Sequence, residues 1–266
     1  MFNFVGDAGI DHYTVENLKT LGGCSLNVAT HFKRNSGDKA TLFYPSIIEN
    51  QIREHCQKVG IEAFPLLRTG KVPTQHIEHD SQGEKKFTLY EPGVIENFQF
   101  SPEECSQLKT IEGALVIPLY SQILFFVDQV ISIHPGPFYF DFHDAVDFKK
   151  DFNQIRPYLE RAHFAQFGLS QTEKDNELKE LLLNYAYNEK IQLLITSSHH
   201  EILYFDTQEL HQFKPIKLER IVDSTGAGDA FLGAFLASLS KKIPPRESLE
   251  QASLYTHKVL LKKGSL

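Results

Sequence analysis

Cysteine is scarce in this sequence, and no stretch of it is long and apolar. The three cysteines, Cys24, Cys56 and Cys105, are too few and too far apart for a disulfide framework or a C-x-x-C zinc knuckle, so they are interpreted as reduced thiols. The most apolar runs, residues 114–119 and 123–127, are far shorter than the ~20 residues of a membrane span. No positively charged N-terminal segment precedes an apolar one, as it would in a signal peptide. These absences predict a cytoplasmic protein that does not bind membranes.

Basic residues, proline and glycine are also limited. The 27 Lys and Arg are outnumbered by 34 Asp and Glu, which gives a net charge of −7, and there is no basic block that would grip nucleic acid. The 12 prolines and 16 glycines are too few for collagen-like repeats or low-complexity disorder. With 266 residues, of which 41% are hydrophobic, the chain can form one large α/β domain or two small ones.

Short β-rich runs alternate with helical stretches, which predicts parallel βαβ units with helices on both faces of a sheet. The predicted strands are residues 2–5, 114–119, 138–142, 163–168, 191–196, 202–205 and 216–221. The predicted helices are residues 25–33, 47–59, 121–132, 172–189, 228–240 and 246–261, together with one that starts at the capping signal Ser101-Pro102. A more polar hairpin, with strands at 72–79 and 86–91 around a turn at 80–83, is interpreted as an antiparallel appendage.

Sheets of this kind bind ligands beyond the carboxyl ends of their strands. Four segments fall at such ends: residues 6–11, 141–144, 170–173 and the segment before Gly226. Asp141 and Asp144 are interpreted either as ligands of a metal or substrate or as solvated strand-end aspartates. Candidate functional residues are therefore sought in these segments.

Residues 223–231, with the sequence DSTGAGDAF, are the most informative stretch. Two glycines flank Ala227 and precede an apolar helical pattern, so free N–H groups and the positive end of a helix dipole meet there and favour an anion. Asp229 within such a site is best explained as a base that takes the proton of a hydroxyl attacking a phosphate. A tight turn with an N-cap aspartate is the simpler alternative.

This stretch resembles the C-terminal signature of the ribokinase-like (pfkB) carbohydrate kinases. Residues 6–11 (GDAGID) are similar to the family's opening strand, and residues 22–29 (GGCSLNVA) resemble its Gly-Gly…Asn-x-Ala segment. Residues 74–78 and 89–93 resemble its lid strands. Within the family, the lid stretch and the sequence FDFHD that ends at Asp144 resemble the fructoselysine 6-kinase-like group.

The resemblance implies one α/β domain of ribokinase-like fold over residues 1–266. Its central, mostly parallel sheet would be flanked by helices on both faces. A small antiparallel β lid would be formed by residues 11–20 and 70–95, and a homodimer through this lid is a candidate assembly.

The resemblance also implies the site residues. Asp229 would be the catalytic base, and the amides of Gly226, Ala227 and Gly228 would form the anion hole. The acceptor would be bound by Asp11, Gly22, Gly23 and Asn27. The nucleotide would be bound by Ser170, Glu173, Thr196, Ser198 and Thr225, and Glu173 would also hold Mg²⁺ through water.

The implied function is transfer of the γ-phosphate of ATP to a hydroxyl of a small sugar or sugar conjugate such as a fructosamine. Mg²⁺ would be the metal cofactor, and a monovalent cation is a further candidate. The family's Thr-x-Gly-x-x-Gly turn lacks both glycines in residues 196–201 (TSSHHE), and its Gly-x-Asp segment is missing after Ser46. Two alternatives therefore stay open: a catalytically weak regulatory protein that binds sugar or nucleotide, and a nucleoside kinase of the same fold. Walker A and protein-kinase signatures are absent.

Overall fold

The computed structural model describes residues 1–47, 51–79 and 85–266. Within them no helix is both long and apolar enough to cross a bilayer. The strands are β1 (Phe2–Val5), β2 (Gly9–Tyr13), β3 (Leu18–Gly22), β4 (Ala40–Ser46), β5 (Glu62–Leu67), β6 (Thr74–His79), β7 (Lys85–Glu91), β8 (Ala114–Pro118), β9 (Phe138–Asp141), β10 (Ala162–Gly168), β11 (Gln192–Ser197), β12 (Glu201–Phe205) and β13 (Leu210–Phe213). The α-helices are α1 (Cys24–Ser36), α2 (Gln51–Val59), α3 (Pro102–Lys109), α4 (Leu124–Ile133), α5 (Phe152–Leu159), α6 (Glu173–Glu189), α7 (Ala227–Ser240) and α8 (Pro245–Leu260).

The main sheet of the described residues has nine strands in the order β13-β12-β11-β10-β9-β8-β1-β4-β5. Every pairing from β11 to β5 is parallel, and only β12 and β13 are antiparallel at one edge. Parallel strands require crossovers, which the helices supply. The predicted mostly parallel sheet is confirmed.

Both faces of this sheet are covered, because successive side chains of a strand point to opposite faces. Phe4 belongs to the hydrophobic cluster with α1, α2, α7 and α8, whereas Val5 belongs to the cluster with α3, α4, α5 and α6. Leu42 and Phe43 divide between the two clusters in the same way. Such nearly continuous apolar strands are typical of sheets buried on both faces.

A second, smaller sheet has the order β3-β2-β6-β7. Its outer pairs are antiparallel, and its central pair, β2 with β6, is parallel. The strands fall largely within the predicted lid, residues 11–20 and 70–95. The predicted turn 80–83 lies outside the described residues. The function of this sheet as a lid, the single-domain organisation and the dimer stay predictions.

The predicted strand 216–221 is wrong, because residues 214–222 form no strand and β13 lies before them. Pro215 has no N–H for a strand ladder, and Ile216 is 70% exposed. Four elements were not predicted from the sequence, namely β4, β5, β13 and α5, and the region of β2 and β3 was predicted only as part of the lid. The predicted helix 47–59 corresponds to α2, but its residues 48–50 lie outside the described residues.

Helices α1 and α7 pack closely against each other on one face of the sheet. The contact depends on Gly233 of α7. A Cβ atom there would lie 2.7 Å from the His31 Cβ, 2.7 Å from the Val28 carbonyl oxygen and 2.8 Å from the Phe32 nitrogen. A larger residue would therefore push the two helices apart.

Gly233→Ala is expected to lower the free energy of unfolding by about 1–3 kcal/mol, because the added methyl group overpacks the interface. Gly228→Ala, in the same helix, is the matched control, since a Cβ there meets no atom within 4 Å. Denaturant unfolding of both variants and the unmodified protein checks this. Equal stability of the two variants would contradict the close-contact argument.

Candidate active site at the start of two helices

Helix α7 begins directly after the glycine-rich turn. Gly226 is its N-cap with φ 72°, and a Cβ there would lie 2.6 Å from the Ser265 Cβ. The Ala227 N–H donates to the Ser224 carbonyl at 3.2 Å. Within the described part of the chain, the N–H groups of Gly226 and Gly228 make no hydrogen bond, and the space beside Gly228 is open. These two N–H groups and the helix dipole can hold an anion, whereas Ala227 is engaged in the turn.

Asp229 lies in the first turn of α7 and is 7% exposed. Asn27, in the first turn of α1, donates from Nδ2 to Asp229 Oδ2 at 2.8 Å. Burial raises the pKa of Asp229 to about 6, although the positive charge of His143 opposes this shift. A carboxylate with a pKa near 6 can be ionised at neutral pH and can still accept a proton readily, as a general base must.

The oxygen of the Asn27 amide is linked to the Asp11 carboxyl group through the hydroxyl of Ser265. Ser265 Oγ lies 3.1 Å from Asn27 Oδ1 and 3.0 Å from Asp11 Oδ2. Burial raises the pKa of Asp11 to about 7, although its hydrogen bond with Ser265 opposes this. Ser265 has a single proton and Asn27 Oδ1 can only accept. In the protonated state, therefore, Asp11 donates to Ser265, and Ser265 donates to Asn27.

The glycines predicted to bind the acceptor lie beside this chain of hydrogen bonds. Gly23 is the N-cap of α1 with φ 99°. Gly22 ends β3 and is paired with Gly9 of β2, and a Cβ at Gly22 would lie 2.3 Å from the Asp11 carboxylate. The structure therefore brings together the four predicted acceptor-binding residues and Asp229.

Ser265 is completely buried and is held by its main chain. Burial lowers the pKa of His31 to about 4, so this imidazole is neutral at pH 7. His31 Nε2–H donates to the Ser265 carbonyl at 2.8 Å, and the Tyr255 hydroxyl therefore donates to His31 Nδ1 at 2.9 Å. The buried histidine thus fixes the segment that carries Ser265.

The Asp223 carboxylate ties three segments together next to the same site. It accepts the Tyr13 hydroxyl at 2.8 Å, the Gly264 N–H at 2.9 Å and the Thr225 N–H at 2.8 Å. These donors belong to the second sheet, to the segment of Ser265 and to the glycine-rich turn. Thr225, predicted to contact the nucleotide, is buried within this junction.

An acidic cluster with one histidine lies next to Asp229. Asp7 accepts the N–H groups of Cys24 at 3.0 Å and Ser25 at 3.2 Å, at the start of α1. Burial raises the pKa of Asp7. Burial also disfavours a charge on His143, but the nearby carboxylates, first Asp141 and then Asp229, outweigh this and raise its pKa. These carboxylates therefore favour the protonated form of His143.

Four of the five residues predicted to bind the nucleotide lie at the ends of two neighbouring strands. Ser170 follows β10, but its hydroxyl donates to the buried Asp175 carboxylate. Glu173 is exposed at the first position of α6. Thr196 lies at the end of β11 with Oγ1 3.5 Å from the Phe167 carbonyl, and Ser198 follows as an exposed residue with φ 46°. These residues follow the parallel strands β10 and β11, and their role in nucleotide binding stays a prediction.

Four residues of the site were not singled out from the sequence: Cys24, His31, His143 and Ser265. Local patterns could have drawn attention to Cys24, which lies in the Gly-Gly…Asn segment, and to His143, which follows a strand end. Ser265 and His31 gave no such signal, because their contacts join positions 234 to 254 residues apart.

A buried carboxylate beside two unbonded N–H groups at a helix start is the arrangement of an enzyme that transfers an anionic group to a hydroxyl. Residues 5–266 match the model of the pfkB family carbohydrate kinases, and the chain belongs to that family. It is 24% identical over 263 residues to the fructosamine kinase FrlD of Bacillus subtilis (strain 168). This alignment covers 94% of the present chain and 87% of FrlD. It is 31% identical over 99 residues to the ribokinase of Lactococcus lactis. That alignment covers 35% of the present chain and 33% of the ribokinase.

Solved structures agree on the fold. The adenosine kinase of Anopheles gambiae in complex with P1,P4-di(adenosine-5) tetraphosphate has a TM-score of 0.76 at 14% identity and covers 99% of this chain and 96% of its own. The ribokinase of Thermotoga maritima has a TM-score of 0.73 at 17% identity, and the match covers 100% of this chain and 94% of the ribokinase. The predicted family and ribokinase-like fold are confirmed. The chain is an ATP-dependent sugar or nucleoside kinase.

Compared with the unmodified protein, Asp11→Asn is expected to be more stable at pH 8 than it is at pH 5. A raised carboxyl pKa favours folding while the group is protonated, and this contribution is lost as the pH rises through about 7. The uncharged Asn can donate to Ser265 at every pH. The variant should therefore gain about 2 kcal/mol over the unmodified protein between pH 5 and pH 8.

Denaturant unfolding at the two pH values measures this gain. Asp38→Asn, at an exposed aspartate outside the site, is the matched control. A stability difference for Asp11→Asn that does not change with pH would contradict the assignment of a protonated Asp11.

Proposed function

We propose that this protein transfers the γ-phosphoryl group of ATP to a hydroxyl of a small sugar conjugate of the fructosamine type, with Asp229 as the general base. The observation that supports this most is the geometry of Asp229: a buried carboxylate that Asn27 orients at 2.8 Å, next to the N–H groups of Gly226 and Gly228. The fructosamine class rests on the relative from Bacillus subtilis, which aligns with 94% of the chain.

The residues divide the chemical work among them. Asp11 and Asn27, joined through Ser265, bind hydroxyl groups of the acceptor and direct one of them toward Asp229. Asp229 accepts the proton of that hydroxyl while the hydroxyl oxygen bonds to the γ-phosphorus, the bond from this phosphorus to the bridging oxygen of the β-phosphate breaks, and ADP leaves. The N–H groups of Gly226 and Gly228 stabilise the negative charge on the transferred phosphoryl group.

Kinases of this family typically use Mg²⁺, and the proposed nucleotide side has the oxygen donors that Mg²⁺ prefers. Glu173 is exposed at the start of α6, so its carboxylate can reach the ion through water. Mg²⁺ would neutralise phosphate charge there. Thr196 and Ser198, which follow the adjacent strand β11, offer hydroxyl groups to the nucleotide.

Asp229→Asn is expected to lower kcat about 10²–10⁴-fold, because the amide keeps the size of the side chain and removes the base. The measurement is ADP release with MgATP over a panel of fructosamines, free ketoses and nucleosides. Asp38→Asn is again the control and should keep full activity. Turnover of nucleosides alone would identify a nucleoside kinase, and no turnover above the Asp229→Asn background on any acceptor would favour a regulatory binding protein.

The kcat/KM of the unmodified protein is expected to fall below pH 6, about tenfold per pH unit, since only ionised Asp229 can accept the proton. The raised pKa of Asp229 places this fall in kcat/KM about two pH units above the fall that an ordinary aspartate would cause. Initial rates between pH 4.5 and pH 8 measure the profile. A profile that stays flat down to pH 5 would contradict the role of Asp229.

A further inference from the structure

Three different metal-binding side chains meet at the proposed base. Cys24, His143 and Asp229 each place one ligand atom so that all three atoms lie within 4.8 Å of one another. They come from three elements: the first residue of α1, the loop after β9 and the first turn of α7. The proposed phosphoryl transfer needs neither the thiol nor the imidazole. The proposed function therefore does not explain why these two groups lie beside Asp229.

Each of the three groups has a ligand position available. Cys24 is a free cysteine. The Nε2 atom of His143 is buried and has no hydrogen-bond partner among the described residues. Asn27 donates to Oδ2 of Asp229, and no described residue makes a hydrogen bond to the second carboxylate oxygen, which is left for another ligand. An unpartnered buried nitrogen is a destabilising feature unless a ligand satisfies it.

The mixture of donor atoms selects the kind of ion. Thiolate, imidazole and carboxylate are together the ligands of Zn²⁺ and of similar borderline-soft cations. Mg²⁺ and Ca²⁺ prefer oxygen atoms and gain little from a thiol. Three protein ligands also match the usual set of an open zinc site, in which a fourth position takes water or another small ligand.

The surroundings favour a dication. Asp141 Oδ2 lies 3.8 Å from His143 Nδ1, so a carboxylate stands near the ring nitrogen that would not bind the ion. Burial, followed by the charges of Asp229 and Asp7, raises the pKa of the Cys24 thiol. The same carboxylates stabilise a dication that displaces the thiol proton.

We propose that Cys24, His143 and Asp229 form a binding site for one Zn²⁺-like cation, and that this ion reversibly inhibits the enzyme by engaging the carboxylate of Asp229. The ion occupies the position from which the acceptor hydroxyl meets its base. Metal binding itself is independent of the proposed function, whereas the inhibition rests on it.

The test is a titration of the Mg²⁺-free protein with Co²⁺, a spectroscopic substitute for Zn²⁺. One equivalent should produce a thiolate-to-cobalt charge-transfer band, and Zn²⁺ should displace it. Cys24→Ser should abolish the band, and His143→Gln should weaken binding at least about tenfold. Cys105→Ser is the matched control, since Cys105 lies on α3 and is also a free cysteine. No band in the unmodified protein, or a band that survives Cys24→Ser, would overturn the site.

A second measurement needs no variant. Titration of the unmodified protein with Zn²⁺ at constant pH should release protons from the buried Cys24 thiol in proportion to the ion bound; Zn²⁺ binding with no proton release would refute the site. The inhibition is tested by ADP release at saturating Mg²⁺, where Zn²⁺ should lower the rate and a chelator restore it. Stoichiometric binding without inhibition would overturn only the inhibitory part, and an inactive protein that still binds Co²⁺ would contradict only the proposed function.

Discussion

The hydrogen bond between Asn27 and Asp229 is the interaction on which the rest of the site depends. It joins the first turns of α1 and α7, which approach closely because Gly233 has no side chain. The Asn27 amide has a direction: its N–H faces the Asp229 carboxylate, so its oxygen must face Ser265. The position of the base and the arrangement of donors at Asp11 are therefore set by one side chain.

This arrangement places charge where folding disfavours it. Asp7, Asp11 and Asp229 are each less than a tenth exposed, and burial raises the pKa of all three. The chain as a whole is acidic, with a net charge of −7. A negatively charged nucleotide must therefore be attracted locally, as by the free N–H groups at the start of α7, rather than by the surface as a whole.

The sequence was most informative where a structure depends on neighbouring residues. The helix start at Ser101 is present with the expected capping box to Glu104. The glycine-rich turn and its helix were likewise predicted from residues 223–231 alone. Ser265 could not be found in this way, because its partner Asp11 is 254 residues distant and only the folded chain brings them together. The strand predicted at 216–221 failed for the opposite reason: its apolar pattern is not used to form a buried face, since Ile216 is exposed and Leu218 and Ile221 are only partly buried.

The nucleotide side shows how one segment can combine support and binding. Asp175 is fully buried, and Lys150, Ser170 and Thr172 all donate to it. Burial alone would raise the pKa of Asp175, but these donors lower it below the usual value. The ionised Asp175 therefore stabilises the start of α6 at pH values above the ordinary pKa of an aspartate, and this contribution is lost as the pH falls. Because Ser170 donates its only hydroxyl proton within this network, its oxygen can serve a ligand only as an acceptor. Glu173 is exposed at the same helix start, and its contact with the phosphates stays a prediction.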